Sequence, residues 1–224
     1  MNSGNDKHVF HIFHSNYPLP IGEEASRAQR HIIVVATILF ARKGYDAVSI
    51  RDIAKAIGLK PGSLYTHFES KEKLWDAVLN QAQELYMLYF KKMGEMLDKA
   101  ETFEAALDIM FEEPIKMDNT FTCYAFSLIQ SEQFNSDRAG RIMNDIFLGY
   151  SIRFIDRHFR RYIADGLAPP FDTATVAASF MHNVLATINA SVQLLIGWSA
   201  PYDPGKMMAA YKQSILKYVQ AMAT

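Results

Sequence analysis

The sequence has few of the features that mark secreted, cross-linked or membrane proteins. Its 224 residues include one cysteine, Cys123, which excludes a disulfide bond within the chain. The longest nearly uninterrupted apolar run, residues 32–41, is about half of the roughly 20 residues that a membrane-spanning helix needs. The apolar stretch at residues 9–13 is broken by His11 and is followed by no small-residue cleavage site, so no signal peptide is expected. We therefore predict a cytoplasmic protein without a membrane segment.

Motifs that carry catalysis are also missing. There is no glycine loop that would cradle a phosphate, no HExxH-type pair and no nucleophile elbow, so we expect no enzyme activity, no cofactor and no bound metal. His8, His11 and His14 recur every third residue in the first 25 residues, a spacing that a metal site or a DNA contact would use. Nothing nearby supplies a rigid second shell, and this segment is predicted to be a mobile arm.

Charge is scarce overall but unevenly distributed. The net charge is -1, which argues against indiscriminate binding to nucleic acid. Residues 27–73 nevertheless hold nine basic and four acidic side chains, whereas the residues before and after this segment are both net acidic. A basic segment on an acidic body is typical of a protein that meets a polyanion with one end, although so small a difference can also be incidental.

Local signals predict three short helices in this basic segment. Ser26 with Gln29 has the form of a capping box, and a helix-period apolar pattern runs from there to a stop at Gly44. Ser49 with Asp52 repeats the capping box and starts a second helix, which Gly58 ends.

The third helix begins after Lys60, with Pro61 in its first turn, where the missing N–H costs nothing. Its apolar Leu64 and Phe68 are expected to face inward. Two short helices joined by a glycine turn, with the small residue Ala54 where they cross, predict a helix-turn-helix whose second helix enters the major groove of DNA.

The segment from residue 26 to 79, SRAQRHIIVVATILFARKGYDAVSIRDIAKAIGLKPGSLYTHFESKEKLWDAVL, resembles the DNA-binding domain of the TetR family of bacterial regulators. The resemblance covers about 50 residues without a gap and depends on Gly44-Tyr45, on residues 49–54 and on residues 62–72. Val34 and Ile38 depart from it, because these positions of helix one are usually polar in the family.

The resemblance implies which side chains meet DNA. In the family the positions of Tyr65 and Thr66 reach DNA, and those of Ser49 and Arg51 grip phosphate. Lys71 is expected in the first turn of helix four, where the helix dipole disfavours a cation and a nearby phosphate would explain it. The predicted DNA-binding residues are Ser49, Arg51, Lys60, Pro61, Gly62, Ser63, Tyr65, Thr66, His67 and Lys71. Polar members of this set can instead be ordinary surface, and His67 can instead hold helix three against helix one.

Beyond residue 71 the pattern changes to long amphipathic helices without strand alternation. Helix four starts at Lys71 and continues toward Lys92, and further helices are predicted near residues 102–112, 117–133, 137–164, 173–196 and 205–222. Breaks are expected at Pro114, at Gly166-Pro169-Pro170 and at Pro201-Pro204. We therefore predict an all-α fold with a mobile arm (1–25), a helix-turn-helix domain (26–72) and a larger helical domain for ligand binding and dimerisation (73–224).

The last two helices bear on the oligomeric state. Apolar and small residues alternate along residues 173–196, which suits close packing against a partner helix. The resemblance implies a homodimer through a four-helix bundle, which presents two recognition helices to a palindromic double-stranded DNA operator with half-sites about 34 Å apart or a multiple of this. The alternative is that these faces complete the core of a single subunit.

The resemblance further implies a small-molecule effector that shifts the protein away from its DNA-competent state. Candidates for the effector pocket are Tyr86, Phe90, Met110, Phe111, Tyr124, Phe126, Phe147, Tyr150, Phe154, Met181, His182 and Asn189. For the apolar members, ordinary core is the alternative. Cys123 is interpreted as a buried inert thiol rather than an oxidant sensor.

Together these observations predict a transcription regulator, in the role of a repressor if it follows the family. The competing hypothesis is a helical ligand-binding or adaptor protein without DNA function. The polar and basic face from Lys60 to Lys71 favours the regulator.

Overall fold

A computed structural model of the protein describes residues 26–116, 120–195, 197 and 199–223. All regular secondary structure in these ranges is helical, so the predicted all-α fold class is confirmed for this part of the chain. The predicted N-terminal arm, with His8, His11 and His14, lies outside the described residues.

The helices follow the predicted order closely. The first half of the chain forms α1 (Arg27–Lys43), α2 (Ile50–Ala56), α3 (Pro61–Tyr65), α4 (Lys71–Leu97), α5 (Phe103–Lys116) and α6 (Thr120–Glu132). The second half forms α7 (Asp137–Arg141), a π-helix π1 (Ile142–Tyr150), α8 (Ser151–Ala164), α9 (Thr173–Leu195) and α10 (Pro204–Ala221).

The expected break at Pro114 is wrong, because α5 continues through this residue to Lys116. A proline inside a helix removes one backbone hydrogen bond and costs about 3 kcal/mol in an isolated helix. Contacts of α5 with α10, including the Phe111 and Tyr211 rings at 5.9 Å, stabilise the helix here. Pro204 occupies the first turn of α10 behind the N-cap Asp203, a position that favours proline.

The predicted helix over residues 137–164 is continuous but not uniform. The segment π1, after the first five residues, has the wider π geometry, in which hydrogen bonds span five residues instead of four. An apolar period of 3.6 residues does not distinguish these two geometries over so short a segment, so the sequence pattern alone did not indicate π1.

The described chain divides into two compact units. An N-terminal unit holds residues 26–87 and 120–143, and a C-terminal unit holds residues 88–116 and 144–223. The division falls inside α4 after Met87 and inside the continuous helix of α7, π1 and α8 after Met143.

Two capping boxes define the first helices of the N-terminal unit, as predicted. The Ser26 Oγ accepts from the Gln29 amide at 3.2 Å, while the Gln29 side chain accepts from the Ser26 amide at 2.9 Å. Ser49 and Asp52 form the second box at the start of α2, with distances of 3.2 and 2.8 Å. Hydrogen bonds from Ser49 lower the pKa of the Asp52 carboxyl below its usual value.

Helix α1 is extensively buried, because it packs against two other helices. It packs against α6 more extensively than against α2, and Ile32, Val35, Ile38 and Phe40 are all buried. This packing explains why Ile38 is apolar where the resemblance suggests a polar residue, whereas Val34 is half-buried.

The C-terminal unit is built around α9, which packs against both α8 and α10. Hydrogen bonds fix the end of α4 within this unit, because the Leu97 carbonyl accepts from the Tyr162 hydroxyl at 2.6 Å and from the Arg161 guanidinium at 2.7 Å. The predicted break between α8 and α9 is confirmed, with Gly166 at a φ of 72° after the end of α8. None of the described helices combines the length and the hydrophobicity that crossing a bilayer requires.

Candidate DNA-binding surface and effector site

Helices α2 and α3 form a tight helix-turn-helix in the N-terminal unit. Gly58 adopts a φ of 71°, which glycine tolerates without strain, and the next amide, that of Leu59, donates to the Ala54 carbonyl at 2.9 Å. Ala54 and Leu64 have no exposed surface, and α2 and α3 pack against each other. The small Ala54 side chain therefore lies in a closely packed core of this pair, as the sequence predicted.

The candidate DNA-binding residues lie mainly on the solvent side of this pair. Most of the surface of α3 is exposed. Eight of the candidates are exposed: Ser49, Arg51, Lys60, Pro61, Gly62, Ser63, Tyr65 and Thr66. His67 and Lys71 are half-buried. Apart from its chain neighbours and the backbone of its own helix, no atom lies within 4 Å of the position that a Cβ of Gly62 would occupy, so the backbone there is open to a close approach from outside.

The hydroxyl groups of this surface differ in what they already bind. Ser49 is engaged in its capping box, and the Thr66 Oγ1 donates to the Ser63 carbonyl at 2.7 Å. Lys60 is the N-cap of α3, and its side chain makes no capping hydrogen bond. The Tyr65 side chain is 53% exposed, an unusual position for a large aromatic residue.

Lys71 lies over an aromatic ring rather than fully in solvent. Its Nζ is 4.0 Å from the centroid of the Tyr45 ring, within the range of a cation–π interaction. This contact holds the ammonium group against Tyr45, and Lys71 itself is the first residue of α4.

Tyr45 connects several parts of the N-terminal unit. Its ring packs against Phe40 at 5.4 Å and against Trp75 at 4.9 Å between centroids. Burial, and secondarily the nearby carboxylates of Glu72, Asp46 and Asp76, raise the pKa of its phenol. Its backbone amide donates to the Glu132 Oε1 at 2.9 Å. Sequence reasoning missed Glu132, because it is 87 residues away and no local pattern links the two.

The predicted effector residues are divided between the two units. Three of them, Tyr86, Tyr124 and Phe126, belong to the N-terminal unit. The other nine belong to the C-terminal unit: Phe90, Met110, Phe111, Phe147, Tyr150, Phe154, Met181, His182 and Asn189. Of these nine, Tyr150 and Asn189 are half-buried, His182 is exposed and the rest are buried.

Four rings form one cluster in the C-terminal unit. Phe90 meets Phe154 at 4.9 Å and Tyr150 at 5.7 Å, both edge to face. His158 packs on Phe154 at 4.3 Å, and its Nδ1 is 2.8 Å from the Phe154 carbonyl. Burial lowers the pKa of His158. Gly94 lies beside the cluster, where a Cβ would make an ordinary van der Waals contact with the Phe154 ring at 3.5 Å.

The remaining polar candidates are less enclosed. The His182 Nδ1 is 2.8 Å from the Ala178 carbonyl, one turn back on α9. Cys123, expected to be buried, is half-buried by exposed surface; burial of its thiol raises the pKa to about 11, so the thiol is almost entirely protonated at neutral pH. Among the described residues, no three side chains of His, Cys, Asp or Glu are grouped in a way that would hold a metal ion.

Helices α2 and α3, joined by a glycine turn and with α3 exposed, place this protein in the class of helix-turn-helix proteins. Residues 32–78 match the family of bacterial regulatory proteins called the tetR family. The chain is therefore similar to the TetR family of regulators in this domain, and its fold is similar to that of a solved TetR-family structure.

A curated relative is the HTH-type transcriptional repressor KstR2 of Rhodococcus jostii, which is 35% identical over 98 residues. That match covers 42% of this chain and 48% of the repressor, so the chain spans about half the length of this relative.

Solved structures extend the likeness in fold to most of the chain. A TetR-family transcriptional regulator from Mesorhizobium loti aligns with a TM-score of 0.64 at 19% identity, covering 88% of this chain and 98% of the other. The ketosteroid transcriptional regulator KstR2 of Mycobacterium tuberculosis aligns with a TM-score of 0.56 at 19% identity, covering 88% and 96%. At these identities the likeness concerns the fold.

Proposed function

We propose that this protein is a transcription repressor that binds a palindromic DNA operator as a homodimer and leaves it when a small apolar or aromatic ligand binds. Since bacterial operators lie in the cytoplasm, this is where the protein acts. The observation that carries the proposal is the exposed surface of α3 with Tyr65, on a segment of net positive charge. The adaptor hypothesis explains neither the exposed tyrosine nor the positive charge of this segment.

The phosphate contacts are assigned to Lys71, Lys60 and Arg51. Lys71 reaches the phosphate from a fixed position over Tyr45, which lowers the entropy lost on binding. Tyr65, Ser63 and Thr66 are exposed on or beside α3, where base edges and the sugar-phosphate backbone lie within reach of a helix in the major groove.

The dimer is assigned to α9 and α10. Leu194, Tyr218 and Met222, at the C-terminal ends of these helices, are exposed in the single chain. Val184 and Ile188 on α9 are only half-buried. Large apolar side chains at the surface of paired helices support a contact with a second copy of the same surface.

The effector is assigned to the C-terminal unit, where the cluster of Phe90, Tyr150, Phe154 and His158 offers aromatic surface and one polar ring. Such surfaces suit an apolar ligand with few hydrogen-bonding groups. One structural relative, KstR2 of Mycobacterium tuberculosis, is a ketosteroid regulator, which is consistent with a ligand of this kind.

The test is selection of bound duplexes from random DNA at physiological salt, followed by titration of the selected duplex and of a scrambled one. We expect a palindrome that binds at least about a thousandfold more tightly than the scramble. Tyr65→Ala is expected to weaken binding of the selected duplex. Lys71→Ala is expected to weaken both duplexes and to reduce the slope of log affinity against log salt by about one.

The matched control is Lys99→Ala, which removes an exposed lysine from the segment after α4, far along the chain from α3. It should leave both the affinity and the salt slope unchanged. The absence of any sequence preference at every salt concentration would contradict the proposal and favour the adaptor hypothesis.

A further inference from the structure

A short connection in the N-terminal unit makes two separate contacts with the helix-turn-helix region. We call residues 132–141 the α6–α7 corner; they comprise the last residue of α6, the connection after it and the short helix α7. Its first residue, Glu132, is 9% exposed, and its Oε1 accepts from the Tyr45 amide at 2.9 Å. The same oxygen would be 3.8 Å from a Cβ at Gly44, whose φ is 84°. A buried carboxylate is therefore fixed on the backbone of the turn that separates α1 from α2.

The second contact comes from Arg138. Its two terminal nitrogens donate separately to the Asp76 carboxylate and to the Asn80 side-chain oxygen, both on α4. Asp76 and Asn80 are one turn apart, so the planar guanidinium spans successive turns of the same helix face. A lysine has a single ammonium group and does not reproduce this fork.

The corner has little freedom to move. Ser136 caps α7 by accepting from the Ala139 amide, and the Gly140 amide donates to the Ser136 carbonyl at 2.8 Å. A Cβ at Gly140 would lie 2.8 Å from the Gln133 carbonyl oxygen, closer than real Cβ atoms come to backbone. Glycine at this position thus permits the tight approach that brings Glu132 and Arg138 to their partners.

The two contacts lie on either side of α2 and α3 in the sequence. The turn at residues 44–46 precedes α2, and the start of α4, which carries Asp76, directly follows α3. Tyr45 and Lys71 join these two flanks through the cation–π contact. Whatever orients both flanks therefore orients α3 and the Lys71 ammonium.

We propose that Glu132 and Arg138 are positioning residues for DNA binding, which hold the segment from Tyr45 to Asn80 in the geometry that presents α3 and Lys71 to DNA. This inference rests on the proposed function and adds to it a determinant outside the DNA-binding domain. Neither residue is part of the exposed surface of α2 and α3, so both act through the segment that they hold.

The experiment measures the affinity of the full chain for its selected duplex at several salt concentrations. Glu132→Ala and Arg138→Ala are each expected to lower the affinity about tenfold, the scale of one lost hydrogen bond to a charged group. The salt slope should stay at the wild-type value, because no phosphate contact is removed. Glu132→Gln keeps an acceptor oxygen and is expected to bind within about twofold of wild type. Arg138→Lys is expected to behave like Arg138→Ala.

Two controls separate positioning from general loss of stability. Leu128→Ala removes a fully buried side chain from the same helix as Glu132 and should lower the melting temperature without changing the affinity of the folded protein. Arg141→Ala removes an exposed charge from the same short helix as Arg138 and should change neither. Hydrogen exchange gives a readout without DNA, since the Tyr45 amide should exchange faster in Glu132→Ala but not in Leu128→Ala.

Wild-type affinity in folded Glu132→Ala and Arg138→Ala would overturn the positioning role while leaving the proposed function intact. Equal losses of affinity in Leu128→Ala and Glu132→Ala would also overturn it, because the effect would then follow stability alone. Failure of the unsubstituted protein to bind any duplex would instead overturn the proposed function, and the positioning role with it.

Discussion

At the scale of single residues, Tyr45 shows how one side chain can serve several purposes. Its ring fills the space between Phe40 and Trp75, its face carries the Lys71 ammonium, and its amide reaches Glu132. The sequence identified Tyr45 as part of a turn and as a point of the TetR resemblance. The contacts add the reason why an aromatic residue is needed there, since a smaller side chain would neither fill the gap nor support the cation.

His158 leads to a prediction about pH. Its imidazole is 9% exposed, and burial lowers its pKa below the value near 6.5 that it has in the unfolded chain. The unfolded chain therefore takes up a proton more readily than the folded protein, so the contribution of His158 is fully present above about pH 6.5 and declines as the pH falls through its folded pKa. We expect the free energy of unfolding to be lower at pH 5.5 than at pH 7.5, as measured by urea denaturation.

The control for this pH effect uses a second pair of substitutions. His158→Gln should make the decline smaller, whereas His182→Gln, at an exposed site on α9, should leave it unchanged. Burial also lowers the pKa of His31, so part of the decline in the free energy of unfolding should remain in both variants. An identical pH profile for His158→Gln and the wild type would show that His158 contributes nothing to it.

At the scale of elements, the short helices of the DNA-binding region depend on their ends and on their packing. Helix α2 has seven residues and α3 has five, lengths at which an isolated helix is not stable in water. Buried residues such as Ile53 and Leu64 supply the packing, and the capping box of Ser49 satisfies amides that α2 would otherwise leave unpaired.

The cap of α2 can be tested directly. Ser49→Ala removes the acceptor for the Asp52 amide and is expected to lower the free energy of unfolding by about 1 kcal/mol. Ser49→Asn keeps a capping oxygen and should recover most of this loss. The measurement is denaturant unfolding of both variants with Ser199→Ala, an exposed serine outside the helices, as the control. Equal stability of Ser49→Ala and the wild type would mean that water replaces the cap.

The elements also show where a sequence pattern is ambiguous. Caps, glycines and proline at a first helical turn predicted both ends of α1 and α2 and the start of α3 to within about two residues, whereas α3 ends at Tyr65, before the Phe68 that was expected on its inward face. Proline at residue 114 predicts a break, yet α5 runs through it, because packing against α10 contributes stability that no local signal contains. The π1 segment escaped notice for a related reason, since its side chains have the same apolar character as those of an α-helix.

At the scale of the whole molecule, the contacts divide the described chain differently from a simple cut along the sequence. Residues 120–143, with α6 and α7, group with the first 87 residues, because α6 packs along α1. The boundary between a DNA-binding domain (26–72) and a larger helical domain (73–224) stays a prediction. Residues of the second half of the sequence nevertheless contact the DNA-binding region directly, through Glu132 and Arg138.

The proposed dimer predicts the effect of a surface charge. Leu194 is 53% exposed near the end of α9, so Leu194→Lys should not disturb the fold of a single subunit. In a dimer formed by α9 and α10, the same change places a charge in an apolar contact and is expected to shift the protein toward monomer at micromolar concentration.

Sedimentation velocity would measure this shift, with circular dichroism to confirm that the subunit is folded. Ala164→Lys adds the same charge at an exposed site at the end of α8 and should leave the dimer intact. A wild-type protein that sediments as a monomer at high concentration would contradict the dimer, and equal behaviour of the two variants would place the interface elsewhere.

Local sequence signals were enough to predict the helical class, the helix-turn-helix and the solvent face of α3, because these depend on residues close together in the chain. Capping boxes, a glycine with positive φ and an apolar period act over one or two turns. The ten DNA-binding candidates, which all lie in residues 49–71, came mainly from the resemblance to the TetR family over this short segment.

The contacts between distant residues, by contrast, follow only from the three-dimensional fold. Glu132 and Tyr45 are 87 residues apart, and Arg138 and Asp76 are 62 residues apart. From the sequence alone, a carboxylate at a helix end or an arginine in a first turn is interpreted as ordinary surface, because its hydrogen-bond partner is not visible. The physical reason is that burial and hydrogen bonding are properties of positions in space, which the order of residues along the chain does not specify.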